Sequence, residues 1–217
     1  MIIELRRVLT QNEGREVQVE IELREGEKRD ARSFLLPAAI FEKLGISEGE
    51  ITREDVMEIM DAEERYRALK RAFDILAYGR NSTKTLADKL RHRGFKPEIC
   101  QDIAGYMRDN GYIDESEDVE REIELCLRKN WGGRRILMHL HEKGYNSDAM
   151  QIAKERLAEI DFTDVCVKCI REKFRTLPKD EGERKKIISA LIRYGFSMTD
   201  IKEAAKIVEY YRLPGDL

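Results

Sequence analysis

Three groups of side chains in this sequence have the types and spacing for chemistry. The first is the cysteines. Cys166 and Cys169 form a CVKC pair, while Cys100 and Cys126 stand alone. A thiolate zinc site needs a second closely spaced pair, and Val165, Val167 and Ile170 set the CVKC pair in a helical pattern, with no strand or exposed turn to suggest a redox site. The cysteines therefore read as small buried hydrophobes. The second group is the histidines, His92, His139 and His141. His139 and His141 are two apart, so on a helix they point away from each other and make no i, i+4 ligand pair. No Ser/His/Asp arrangement, P-loop or G-x-G-x-x-G occurs. The expectation is a protein that is not an enzyme, with no catalytic residues, no metal site and no cofactor.

The third group is basic. In NWGGRRILMHLHEKGY, residues 130–145, two glycines precede Arg134 and Arg135, and Ile136, Leu137 and Leu140 follow at helical spacing up to Gly144. Cations in a first helical turn face the positive end of the macrodipole and cost a few tenths of a kcal/mol, so a stable helix has no need of them. With unpaired backbone N–H groups and the dipole, however, such a cation completes an anion site. Around this stretch lie Arg128 and Lys129 before Trp131, and Lys143 at its end; upstream lie Arg80, Lys84, Lys89, Arg91 and Arg93. Lys84 and Arg91 are seven apart and share a helix face, beside the apolar face of Leu86 and Leu90. These ten cations are the candidate binding residues. Trp131 reads as a packing residue between helices, with base stacking as the alternative.

The elements that must carry these residues are mostly helices. Of 217 residues, 38% are charged and 7% aromatic, which suits a solvated helical protein better than a sandwich or barrel. Residues 1–64 hold 9 Lys/Arg and 17 Asp/Glu, residues 65–111 hold 11 and 5, and residues 112–217 hold 20 and 21. A basic stretch inside an acidic protein hints at an anionic partner. Uncharged runs such as Ser33 to Phe41 are too short to span a bilayer. MIIELRRVL has no apolar segment with a small-residue cleavage site, so a cytoplasmic monomer is expected.

The front reads as strands. Val17, Val19, Ile21 and Leu23 alternate with polar residues, MIIELRRVL is a partner across the QNEG turn, and RSFLLP is a third short strand ended by Pro37. Ala38 to Leu44 is a short helix stopped by Gly45. Thr52 is an N-cap with Asp55 at N3, and Ile51 and Val56 are placed for a hydrophobic staple. Helices follow to the end, and they repeat. Gly94, Gly144 and Gly195 are 50 and 51 apart. Each is followed by an aromatic (Phe95, Tyr145, Phe196) and preceded by Leu90, Leu140 and Leu191 four back and by Leu86, Ile136 and Ile187 eight back. Downstream, Cys100, Met150 and Ile201 correspond, as do Met107, Leu157 and Val208, then Tyr112, Phe162 and Leu213. The opening helices carry Leu69, Phe73 and Leu76; Val119, Ile123 and Leu127; and Val165, Ile170 and Phe174. Ten residues before each reference glycine stand Lys84, Arg134 and Lys185, with Thr85, Arg135 and Lys186 next, so the basic helix start recurs in every unit. The expected fold is mainly α: tandem three-helix repeats in an elongated curved stack. A β-rich extension over 1–60 precedes repeats at 61–113, 114–163 and 164–217.

This pattern resembles the RecX family, regulators of the recombinase RecA. The family's Ser-x-x-x-Leu-x-x-x-Leu short helix corresponds to Ser82, Leu86, Leu90, Arg93 and Gly94. Its GYLDD element corresponds to Gly111, Tyr112, Ile113 and Asp114, and its GxGxxRIxxxLxxKG element to Trp131 through Gly144, with Arg135, Ile136, Leu140 and Lys143 in register. The last is the most specific, and the resemblance covers about residues 62–212; the front is similar to the extension of Gram-positive members. After Asp114, Glu115-Ser116-Glu117-Asp118-Val119 departs from the family's Phe-Ala pair. The resemblance implies tandem three-helix units and a modulator, with no catalysis of its own, that binds the RecA filament on single-stranded DNA. Such a protein lowers ATP hydrolysis, strand exchange and LexA-type self-cleavage, within homologous recombination, DNA repair and the SOS response. The partners implied are the RecA filament and single-stranded DNA, with duplex DNA a further candidate. The alternatives are a stand-alone DNA-binding regulator, for which residues 112–217 are too near neutral, and a helical protein–protein scaffold.

Overall fold

Alternation builds the front of the chain as expected. In the computed structural model, which describes residues 2–210, β1 (Ile2–Gln11) and β2 (Glu16–Glu25) form an antiparallel hairpin through a 3-10 turn at Asn12–Gly14. Val17, Val19 and Ile21 fall on one buried face, joined by Ile3 and Leu5 from β1. The third strand departs from expectation. RSFLLP is only the end of β3 (Lys28–Pro37), which pairs with β2 from Glu25↔Lys28 to Glu16↔Pro37. The residues from Lys28 to Ser33 are exposed and, Ala31 apart, polar, so no alternation marks them; backbone pairing makes them strand. Only Phe34 and Leu36 reach the core. A two-residue β4 (Gly49–Glu50), also not expected, completes the antiparallel order β3-β2-β1-β4.

Helix α1 (Ala38–Leu44) stops at Gly45, whose φ of 66° is the left-handed conformation glycine adopts freely. Its Phe41, with Ile51 and Ile59, closes the sheet core. Helix α2 (Arg53–Tyr78) has 26 residues and so runs about 39 Å. Its start is the expected capping box: the Asp55 amide donates to Thr52 Oγ1 at 3.1 Å, and the Thr52 amide to Asp55 Oδ2 at 2.8 Å. Ile51 and Val56 pack in the same cluster, as a staple requires. The apolar face of α2 is shifted one residue from expectation. Ala68, Ala72 and Ile75 are buried, whereas Phe73 is 40% exposed. Buried Glu16 ties α2 to the sheet: its carboxylate accepts from the Tyr66 hydroxyl, from Asn12 Nδ2 at 2.7 Å and from Lys70 Nζ at 3.3 Å. The Tyr66 hydrogen bond holds this carboxyl below its ordinary value of 4.5, against burial, with Lys70 and Asn12 adding to the effect.

The other helices are α3 (Thr83–Arg91), α4 (Pro97–Asp109), α5 (Glu115–Arg128), α6 (Gly133–Lys143), α7 (Ser147–Ala158), α8 (Phe162–Phe174), α9 (Glu181–Arg193) and α10 (Met198–Tyr210). The chain divides into two compact units: one runs to Gly79 and includes Leu86–Met107, and the other comprises Arg80–Thr85 and the chain from Arg108 onward. Many corresponding positions behave alike, although Tyr112 is exposed where Phe162 is half-buried. Gly94, Gly144 and Gly195 all have positive φ, at 88°, 70° and 95°. Leu90, Leu140 and Leu191 are buried, as are Cys100, Met150 and Ile201, and Met107, Leu157 and Val208. Leu213 lies outside the described residues. Two apolar clusters fill the second unit, one under α5–α7 and one under α8–α10. The cysteines are buried; burial pushes the thiols of Cys166 and Cys169 up to about 12 and 11. Among the described residues no helix is long and apolar enough to cross a membrane.

Candidate nucleic-acid interface

Lys84 and Arg134 are each the second residue of their short helix, α3 and α6, as the repeat predicts. Lys185 is not. Asp180 caps α9 by accepting the Glu183 amide at 2.8 Å, so Lys185 is the fifth residue of that helix and the basic helix start recurs twice, not three times.

At both true starts several backbone donors are spent inside the protein. The sequence predicts open backbone at Gly132 and Gly133. Instead Gly132 is buried and packs on Gly195, where a Cβ would collide with the Gly195 carbonyl. The Gly132 amide donates to Tyr194 O at 2.8 Å and the Arg134 amide to Gly195 O at 3.2 Å. Ser82 is the equivalent of Gly132, twelve residues before its own reference glycine. Its hydroxyl donates to Lys143 O at 2.5 Å, while the Thr85 hydroxyl donates to the same oxygen at 2.9 Å. The Thr83 amide is taken at 2.8 Å by buried Glu115, which also accepts the Asn146 amide at 2.7 Å. Each short helix therefore starts on the C-terminal end of the next repeat's short helix. The Lys84 stem lies flat on Gly144, and the Arg135 Cβ touches Gly195. A cation there faces the negative end of the neighbouring helix, which offsets the cost in its own first turn.

The ten candidate cations do not form one set. Arg80 is clamped by Asp118 at 2.6 Å and Glu117 at 2.9 Å. Arg91 pairs with Asp88 and Lys143 with Glu122, at 2.6 and 2.5 Å. Arg135 is half-buried, its guanidinium 4.0 Å from the Trp131 ring centroid and 5.5 Å from that of Tyr194; Lys129 Nζ lies 5.1 Å from the Trp131 centroid. Trp131 is thus the packing residue expected. Lys84, Arg128 and Arg134 are exposed. Lys89 and Arg93 enter a groove in the first unit.

That groove is two adjoining hollows, of about 350 and 290 Å³, that share Arg71, Asp74 and Arg93. Arg67, Lys70 and Phe95 line one, and Tyr78 and Lys89 the other. Five cations thus face one carboxylate among the described lining residues, with Tyr78 94% exposed at one end. Asp74 takes Arg71 at 3.3 Å, Glu16 takes Lys70, and Arg67 stands 6.0 Å from the Phe95 ring centroid. A cationic track with aromatic faces suits a phosphate backbone with unstacked bases. Arg67, Lys70, Arg71 and Tyr78 have no place in the sequence motifs. The available signal was the excess of positive charge over residues 65–111, which begins on α2 rather than on the short helix.

The structure also gathers residues that the sequence separates. Glu122 on α5 meets His139 Nε2 on α6 at 3.1 Å, and Cys126 lies beside both. Burial pushes the Glu122 carboxyl up, but Lys143 and His139 outweigh it and hold the group below the ordinary carboxylate range.

A small antiparallel sheet followed by helical units, with cations on grooves and junctions, defines a mainly helical protein. No protein-family model matches the chain. It is, however, similar to the RecX regulatory proteins, as its motifs imply. Regulatory protein RecX of Bacillus subtilis is 26% identical over 188 residues, spanning 83% of this chain and 70% of that protein. RecX of Caldanaerobacter subterraneus is 26% identical over 176 residues, 81% of this chain and 88% of its own length. A crystal structure of regulatory protein RecX superposes with a TM-score of 0.68 at 17% identity, covering 93% of this chain and 99% of that one. RecX from Lactobacillus salivarius gives 0.57 at 19% identity, over 69% and 99%. These two structures establish the fold. The curated relatives are named as regulatory proteins.

Proposed function

We propose that this protein modulates a RecA-type recombinase in the cytoplasm, as a monomer and without catalysis of its own. It binds the filament that RecA forms on single-stranded DNA and lowers ATP hydrolysis, strand exchange and LexA-type self-cleavage, and so acts in recombinational repair and the SOS response. Similarity to RecX regulatory proteins over more than four fifths of the chain carries this reading. The groove of Arg67, Lys70, Arg71, Lys89 and Arg93 supplies the contact to DNA phosphates, with Tyr78 placed to stack on a base. Lys84, Arg128 and Arg134, exposed at the repeat junctions and the end of α5, supply further contacts to the filament. The test is the ATPase of the cognate recombinase on single-stranded DNA with this protein titrated in. Stoichiometric inhibition is expected; undiminished ATPase at a one-to-one ratio contradicts the proposal, and DNA binding with no effect on the recombinase favours a stand-alone regulator.

A further inference from the structure

Glu122 and Cys126 are four apart on α5, so they share a helix face, and α6 places His139 against that face. One ligating atom from each lies within 4.8 Å of the other two, and His139 Nε2 is 3.1 Å from Glu122 Oε2. Cys126 is fully buried. Around this trio the support is already built: Lys143 Nζ holds the second carboxylate oxygen of Glu122 at 2.5 Å, and the edge-on ring of Trp131, 5.4 Å away, positions the imidazole.

We propose that Glu122, Cys126 and His139 bind a zinc ion that clips α5 to α6. One sulfur, one nitrogen and one oxygen donor match zinc's preference, and three protein ligands leave a fourth tetrahedral position for solvent. Charge balance suits the interior: a divalent ion, a thiolate, a carboxylate and a neutral imidazole sum to zero, and the one further charge, the Lys143 ammonium on Glu122, is part-exposed to solvent. As the zinc–sulfur bond forms, the Cys126 thiol releases its proton to the buffer. Glu122 binds as the carboxylate it already is, and His139 binds through unprotonated Nε2 with its ring proton on Nδ1. The sequence hides this trio, because His139 follows Cys126 at no recognised ligand spacing and comes from a separate helix.

The experiment is a cobalt titration of the reduced, chelator-treated full chain, followed by displacement with zinc. Stoichiometric cobalt should give a thiolate-to-metal charge-transfer band with intense tetrahedral d–d absorption and release about one proton per ion, and zinc should abolish both bands with no further proton release. C126S and H139Q should each lose the band or weaken binding at least about tenfold, whereas C100S should retain it. Should C126S fail to fold by circular dichroism, H139Q decides, since its ring is part-exposed. No charge-transfer band in the parent protein, or binding of unchanged affinity with an undiminished band in H139Q, overturns the proposal, and a band that survives in folded C126S overturns it by assigning the metal to another cysteine.

Discussion

Arg135 owes its half-buried place to Trp131, whose ring lies under the guanidinium, and to the close approach of Gly195. Such a contact, partly desolvated, contributes about 1 kcal/mol. Arg135→Ala should therefore lower the chemical-denaturation midpoint and shift the emission of the single tryptophan. Arg134→Ala, one residue away but exposed, should leave both unchanged. Adjacent arginines that looked equivalent in GGRR thus have separate roles, which helical spacing alone could not show because the partner residue, Tyr194, lies in the next repeat. Glu16 gives a second test. Its carboxyl titrates below 4.5 in the folded protein, so its ionised form stabilises the fold above the ordinary carboxylate range, and that contribution is lost as pH falls through the lower folded value. Glu16→Gln should be less stable than the parent at pH 7, with the gap closing on acidification below pH 4.5. A gap that stays constant would show that Glu16 acts through packing alone.

The repeat junctions follow from where the short helices begin and end. Gly132 and Gly195 touch backbone to backbone, and Gly195 also needs positive φ, which an alanine adopts only at a cost of about 1 kcal/mol or more. Gly132→Ala and Gly195→Ala should each destabilise by at least about 2 kcal/mol, and the double substitution by clearly less than their sum, because both open the same contact. Additive losses in a denaturation cycle would contradict the shared junction. The glycine spacing, the leucines four residues before it and the aromatic after it were legible because packing in every repeat demands them. The face of α2 was misplaced because Leu69 and Phe73 outweigh Ala68 and Ala72 in any count of hydrophobicity, while close packing selects the small residues. The start of α9 was hidden by Gly182, although Asp180, Glu181 and Glu183 are the acidic signals of a helix N-terminus.

For the molecule as a whole, charge was the most informative feature of the sequence, and it marks the proposed binding region more broadly than the motifs do. The excess over residues 65–111 points to the first repeat, where the anionic partner is proposed to bind; the motifs drew attention to short-helix starts where several backbone donors are internally engaged. What the sequence lacked was the juxtaposition of Arg71 on α2 with Arg93 in the turn after α3, which line the same hollows. If phosphates fill that groove, affinity for single-stranded DNA should fall steeply with salt, and R71E with R93E should flatten the slope of log affinity against log salt by about two contacts. The most direct measurement is recombinase-filament affinity for the parent protein and for R71E/R93E, with circular dichroism as the folding control. A loss of at least about tenfold in the folded variant is predicted; equal affinity would contradict the assignment of this groove to the filament.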